Sequence, residues 1–381
     1  MPAWSGRARS AAWTSSSRPV APRPSIWPGL FLCLAIGAAS TELYTLPFPP
    51  FSIGDPVRHP IDAMLIAIVI GIAVRNTVGV PALFAAGVRY AVVSLLPIAI
   101  VLLGARLDFF DVMRTSATAL VISVICVGVA LSLTIWLCKK TGVGQKLGIL
   151  IGIGTAICGG TAIAVAAPVI EADDSETAFA VTTITLFGLL SVFIFPVLGA
   201  ALHMTQLEFG VWAGTSIHAT PQVVATGFAY GNEAGDIATI VKLVRVLLLA
   251  PVVVGLGAWY AREKRRKQQA HVTKLAGWKT LFPPFIFGFV LIALANTLNL
   301  LPDFTLHLED SFLWTAHDEN VVLAKAVTTL STFLITISMA GVGLGVHLRG
   351  LASAGLKALY VGLFATIVLA CFSYALLSTT L

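Results

Sequence analysis

Apolar residues in this chain come in long unbroken blocks separated by short polar connections, not in the strict alternation of a strand or the single stripe of a surface helix. The blocks lie near 27–46, 61–75, 84–104, 117–138, 145–170, 176–201, 208–230, 236–260, 281–300, 321–345 and 355–379. Crossing about 30 Å of hydrocarbon takes about 20 residues of helix, and most blocks have that length. The pattern predicts an all-α membrane protein of about 10–11 transmembrane segments. Residues 26–381 read as a single transmembrane domain, preceded by a tail over 1–25. That tail holds Arg7, Arg9, Arg18 and Arg23, no acid, and too little apolar surface for a core, so it reads as a disordered, basic, cytoplasmic segment. Residues 29–39 resemble the apolar core of a signal peptide, but the run continues to about Leu46 and is read as the first span.

Composition agrees. Of 381 residues 57% are hydrophobic and 11% charged, where a soluble domain has about a quarter charged. Mean hydropathy is +0.91. The net charge of +6 invites a nucleic-acid reading, which fails because the cations sit in connections between blocks, as the positive-inside rule describes. Arg262, Lys264, Arg265, Arg266, Lys267, Lys274 and Lys279 fill one connection, whereas 302–319 holds five acids and no Lys or Arg. The first connection is therefore expected to be cytoplasmic and the second periplasmic, in a bacterial inner membrane. Counting outward puts the N-terminus, Arg75, Arg89, Lys139 and Lys140 on the cytoplasmic side. The five cysteines form no CxxC pair or metal-ligand spacing, so neither a metal nor a cofactor is expected.

Two internal echoes point to an inverted repeat with interrupted helices. Leu103-Gly104-Ala105-Arg106-Leu107 returns as Leu344-Gly345-Val346-His347-Leu348, seven segments later and so in the opposite direction. Gly154-Thr155-Ala156-Ile157-Cys158 returns as Gly214-Thr215-Ser216-Ile217-His218. The first copy of the second echo runs into Gly159-Gly160, and each glycine costs a helix interior roughly 1 kcal/mol relative to alanine. The second runs into Thr220-Pro221, an N-cap residue followed by the residue favoured at the first helical position, so a new half-helix is expected from 221. Each segment thus reads as two half-helices meeting at mid-depth. Crossing segments and re-entrant hairpins entering from opposite faces fit the charges equally well.

Irregular backbone inside a bilayer must be buried in protein or line a polar cavity. The half-helices starting near Thr161 and Pro221 would present free N–H groups and positive dipole ends to such a cavity, which suits an anion. Thr155, Cys158, Gly159, Gly160, Thr161, Thr215, Ser216, His218, Thr220 and Gln222 form the candidate binding shell, with Cys158 a small packing residue in it. Lys242 and Arg245, three apart on one helical face, either add positive charge to the site or snorkel to the headgroups. His218 reads either as a proton-coupling group or as a histidine satisfied at a helix break. Glu171, Asp173, Asp174 and Glu176 read first as a solvated turn and second as an ion gate. No GxSxG, HExxH or Walker loop occurs, so no enzyme is expected.

The block from Gly154 to Ile163, with Pro168-Val169-Ile170, Phe187-Gly188, Phe195-Pro196, Gly214-Thr215-Ser216-Ile217-His218, Gln222-Val223, Val241 to Arg245 and Leu249-Ala250-Pro251, resembles the UPF0324 membrane proteins of prokaryotes, for which sulfate export has been suggested. The resemblance covers about 60 to 360 and is most specific over 147–255. It implies a multi-pass plasma-membrane protein of roughly ten helices that exports sulfate or a related sulfur oxyanion. This chain has Ala219 where that family more often has an acid after the histidine, which removes the carboxylate half of a His/Glu proton relay. The expected function is a secondary transporter exporting a small anion by alternating access, coupled to protons or sodium, as a monomer or homodimer. An anion channel and a non-transporting sensor or scaffold subunit are the alternatives.

Overall fold

The computed structural model describes residues 25–46, 62–266, 282–302, 304–308, 317–347 and 356–380. The basic tail before residue 25, the cations Lys267, Lys274 and Lys279, and Leu348 of the first echo lie outside the described residues. Every apolar block is helical: α1 (Trp27–Tyr44), α2 (Ala63–Thr77), α3 (Ala82–Arg106), α4 (Phe109–Thr141), α5 (Gln145–Ala156), α6 (Gly160–Ala166), α7 (Asp174–Ala201), α8 (Gln206–Ser216), α9 (Thr220–Tyr230), α10 (Asn232–Leu247), α11 (Leu249–Arg266), α12 (Pro284–Thr297), α13 (Leu323–Gly345) and α14 (Leu356–Thr380). α10 and α11 adjoin at Leu248 and together make one apolar span of 35 residues, Asn232–Arg266. Six of these helical segments are long and apolar enough to cross a membrane. Among the described residues the one non-helical element is an antiparallel ribbon in the acidic connection, Phe304–Leu308 against His317–Val321, with Leu306 opposite Glu319.

Both expected interruptions are present. α5 ends at Ala156 and α6 begins at Gly160, with Gly159 at φ +69°, a conformation that a side chain would strain. α8 ends at Ser216 and α9 begins at Thr220. Thr220 is therefore the first helical residue and Ala219 the cap, one position earlier than the sequence suggested. The cap works without a hydroxyl because the Gln222 side chain reaches back to accept from the Ala219 N–H at 3.1 Å.

Side-chain contacts show that both broken segments are hairpins, not crossings. At one end of the bundle the Lys146 ammonium donates to the Glu171 carbonyl at 2.5 Å, and Lys264 pairs with the Glu171 carboxylate at 2.8 Å. The start of α5, the end of α6 and the end of α11 therefore share that face. The acidic turn there is structural: Asp173 and Glu176 form a reciprocal capping box at the start of α7. At the other end, the Tyr230 hydroxyl donates to the Met204 carbonyl at 2.5 Å, and Gln206 Oε1 accepts from the Glu233 and Ala234 amides. The start of α8 and the end of α9 thus share the opposite face. α7, at 28 residues or about 42 Å, spans between the two ends. Its Glu176 end approaches Gly144, and its Gly199 end packs on Phe209 and Tyr230.

Close helix approach elsewhere uses glycine, as is usual within bilayers. A β-carbon at Gly343 in α13 would lie 2.3 Å from the Ile68 carbonyl of α2, and one at Gly87 in α3 would lie 2.1 Å from the Ile26 carbonyl beside α1. α3 contains a π turn over Ala91–Leu95, just ahead of Pro97. Proline has no N–H and its ring crowds the carbonyl four residues back, so the local backbone widens.

Candidate functional site

The two hairpin tips meet. A β-carbon on Gly159 would sit 3.4 Å from that of Ala219. The arms are 12 and 11 residues long, about 18 and 16 Å, so tips entering from opposite faces converge near the centre of a 30 Å slab. Four last-turn carbonyls are orphaned wherever a helix stops, and here the C-terminal ends of α5 and α8 bring two such sets to mid-depth.

Lys242 and Arg245 satisfy them. Both residues are 0% exposed, which rules out snorkelling to headgroups. The Lys242 ammonium donates to the Ile157 carbonyl at 2.6 Å, the Ile217 carbonyl at 2.9 Å and the His218 carbonyl. Arg245 Nε donates to Ala156 and Nη2 to Thr155, while Nη1 reaches Thr215 at 2.7 Å, Ile217 at 3.0 Å and Gly214 at 3.3 Å, all carbonyl oxygens. Two fixed cations thus meet the negative ends of two half-helices, and the lysine's three N–H groups are all engaged. No carboxylate pairs with either cation among the described residues.

The rest of the shell divides into fastened and unfastened groups. Thr215 Oγ1 meets Ser373 Oγ of α14 at 2.6 Å, Trp212 Nε1 donates to the Ala370 carbonyl at 2.9 Å, and His218 Nε2 lies 2.9 Å from Thr366 Oγ1. The Thr366 hydroxyl also lies 2.7 Å from the Gly362 carbonyl, and when it donates there its oxygen is left to accept from the Nε2-protonated tautomer of His218. His218 Nδ1, Thr155 Oγ1 and Ser216 Oγ are buried without a partner. Cys158 is buried, Thr220 half-buried and Thr161 exposed.

A cavity of about 460 Å³ adjoins the second tip. Ala219, Pro221 and Gln222 from the first turn of α9 form part of its wall, together with Thr185, the π turn through Val92 and Val93, and the end of α13 through Gly341, Leu344 and Val346. Arg75 and Arg89 also line it, and no acid does among the described residues. Arg75 Nη1 donates to the Val80 carbonyl at 3.2 Å while its Nε is buried without a partner, and neither arginine pairs with a carboxylate among the described residues. α3 begins beside this cavity and ends at Arg106, which pairs with Asp236 at 3.0 Å near the start of α10. The Arg75/Arg89 cavity therefore lies toward the Lys264 end of the bundle.

The structure thus joins Ala219 and Gln222 to two arginines that the sequence offered only as connection charges. Of the twelve candidate residues, Gln222 lines this cavity and the other eleven, Lys242 and Arg245 included, do not. The second break reaches the cavity, whereas Gly160 and Thr161 at the first do not line it.

An α-helical, multi-pass membrane protein with two opposed re-entrant hairpins, pinned by buried cations beside an arginine-lined cavity, is the class that this fold and site define. The chain belongs to the UPF0324 family of membrane proteins. Conserved hypothetical protein 698, the family description, matches residues 28–362. UPF0324 membrane proteins of Pseudomonas aeruginosa and Yersinia pestis are each 34% identical to it, covering 93% and 90% of this chain and 95% and 91% of their own. One from Bacillus anthracis is 32% identical over 91% of this chain and 93% of its own. No solved structure matches.

Proposed function

We propose that this chain is a secondary transporter for a small oxyanion, which binds in the cavity between Arg75, Arg89 and the first turn of α9. The observation that carries the reading is the lining: two arginines, a helix start and, among the described residues, no acid and no carboxylate partner for either arginine. The Thr220 and Gln222 amides have no carbonyl four residues back within the helix, and an anion is the natural partner for such amides beside arginine. Two hairpins entering from opposite faces and sharing one set of cations supply the element that alternating access requires, a fixed central site approached from either side. Positive-inside placement makes the Lys264 end cytoplasmic, so the cavity collects anion from the cytoplasm, in keeping with export. Sulfate or a related sulfur oxyanion is the substrate class we favour.

Uptake of radiolabelled sulfate into proteoliposomes, with and without a proton gradient, tests this, with sulfite, sulfonates and carboxylates as competitors. Arg75→Gln and Arg89→Gln are each expected to raise KM about tenfold, equivalent to about 1.4 kcal/mol, with melting temperature unchanged. Unaltered KM in both variants would remove the cavity from the transport path.

A further inference from the structure

A buried ammonium within a membrane span pairs with an opposite charge or with backbone carbonyls. Lys242 has three backbone carbonyls, from Ile157 on one hairpin and from Ile217 and His218 on the other. Convergent carbonyls of unwound backbone at mid-depth are the ligand set that transporters offer to a monovalent metal ion. Thr155 Oγ1 and Ser216 Oγ, buried at the same two tips with no partner, are further oxygen donors of that type. Arg245 fills the neighbouring position with a fan of carbonyls from Thr155 to Ile217 and leaves the Ile157 and His218 oxygens to the ammonium alone.

We infer that the Lys242 ammonium occupies a carbonyl-lined monovalent-cation site bridging the two hairpin tips. The ion that would otherwise hold the tips together is tethered to the chain, so the wild-type protein needs no alkali-metal ion there. A variant lacking the tether presents an open site for K⁺, Na⁺ or an alkylammonium. The site itself stands on the contacts; only its consequence, that anion transport is independent of alkali ions, rests on the transporter reading.

The test reads thermal stability of the purified full-length protein in detergent, in chloride salts of Na⁺, K⁺ or choline at one ionic strength. Wild-type Tm is expected to be the same in all three. Lys242→Ala is expected to lose stability in choline and to regain it saturably with K⁺, Na⁺ or propylammonium, which matches the excised fragment from Cγ to Nζ. Lys242→Met, which fills the space without charge, should lose stability and show no such response. A wild-type Tm raised by Na⁺ or K⁺ over choline, an ion-insensitive Lys242→Ala, or a Lys242→Met as stable as wild type would each overturn the inference. Should neither variant fold in any of these salts, the wild-type comparison decides. Because the assay does not use transport, a protein that fails to move sulfate still answers it.

Discussion

Arg245 holds five carbonyls of two different hairpins, so a neutral replacement leaves several buried acceptors unpaired at once. Each buried acceptor left unsatisfied costs about 1–3 kcal/mol, and breaking a buried charged network typically costs about 3–5 kcal/mol in all. Arg245→Met should therefore lower Tm sharply and reduce the yield of monodisperse protein. Arg245→Lys should recover little of this, because an ammonium cannot span the fan that a planar guanidinium covers. A wild-type melting curve for Arg245→Met would show that the carbonyls find other donors. In the sequence, Lys242 and Arg245 stood out as charges within a span, three positions apart. What they touch was not legible, because their partners lie 24–31 and 85–90 positions earlier in the chain. Arg75 and Arg89 were hidden for the opposite reason: they flank a connection, where arginine is commonplace, and only packing of α2, α3 and α13 encloses a cavity between them.

At the level of elements, the two breaks were readable because helix termination is local chemistry. Gly159-Gly160 and Thr220-Pro221 carry the signals, and the repeated pentapeptide placed both breaks at equivalent positions, Ala156 and Ser216. How closely α7 passes α9 was not readable, and it rests on one residue. A β-carbon at Gly188 would lie 2.0 Å from Gln222 Oε1, which is held by the Ala219 amide while Nε2 reaches the Thr185 carbonyl at 3.4 Å. Gly188→Ala should drive the amide off its cap, with an overpacking penalty of about 1–3 kcal/mol. It should also reduce uptake, since that cap orients the first turn of α9 at the cavity wall. Gln222→Ala removes the obstacle, so the double variant Gly188→Ala/Gln222→Ala should melt higher than the sum of the single losses predicts. Strict additivity in that cycle would mean that the two side chains do not meet.

For the whole molecule, the decisive feature is that the hairpins enter from opposite faces. Sequence left this open, because a pair of crossings and a pair of re-entrant hairpins assign the same side to every connection rich in Lys and Arg. They differ only at the turns 171–173 and 202–205, which hold no Lys or Arg, so the positive-inside rule carries little information there. The contacts of Glu171 with Lys146 and Lys264, and of Gln206 with Glu233 and Ala234, distinguish the two. Labelling with a membrane-impermeant thiol reagent checks this directly, in a background where Cys33, Cys126, Cys138, Cys158 and Cys371 are replaced by alanine. Cysteines at Ala172 and Arg262 should react from one common side, and cysteines at His203 and Asn232 from the other. If the two broken segments crossed instead, the Ala172 cysteine would exchange sides with the His203 cysteine while Arg262 and Asn232 kept theirs. Both tips would then no longer reach one pair of cations as hairpins do, so this result bears on the site as much as on the topology. With Arg262 on the cytoplasmic side, the same labels would also place the Arg75 and Arg89 cavity facing the cytoplasm, where an exporter must first meet its anion.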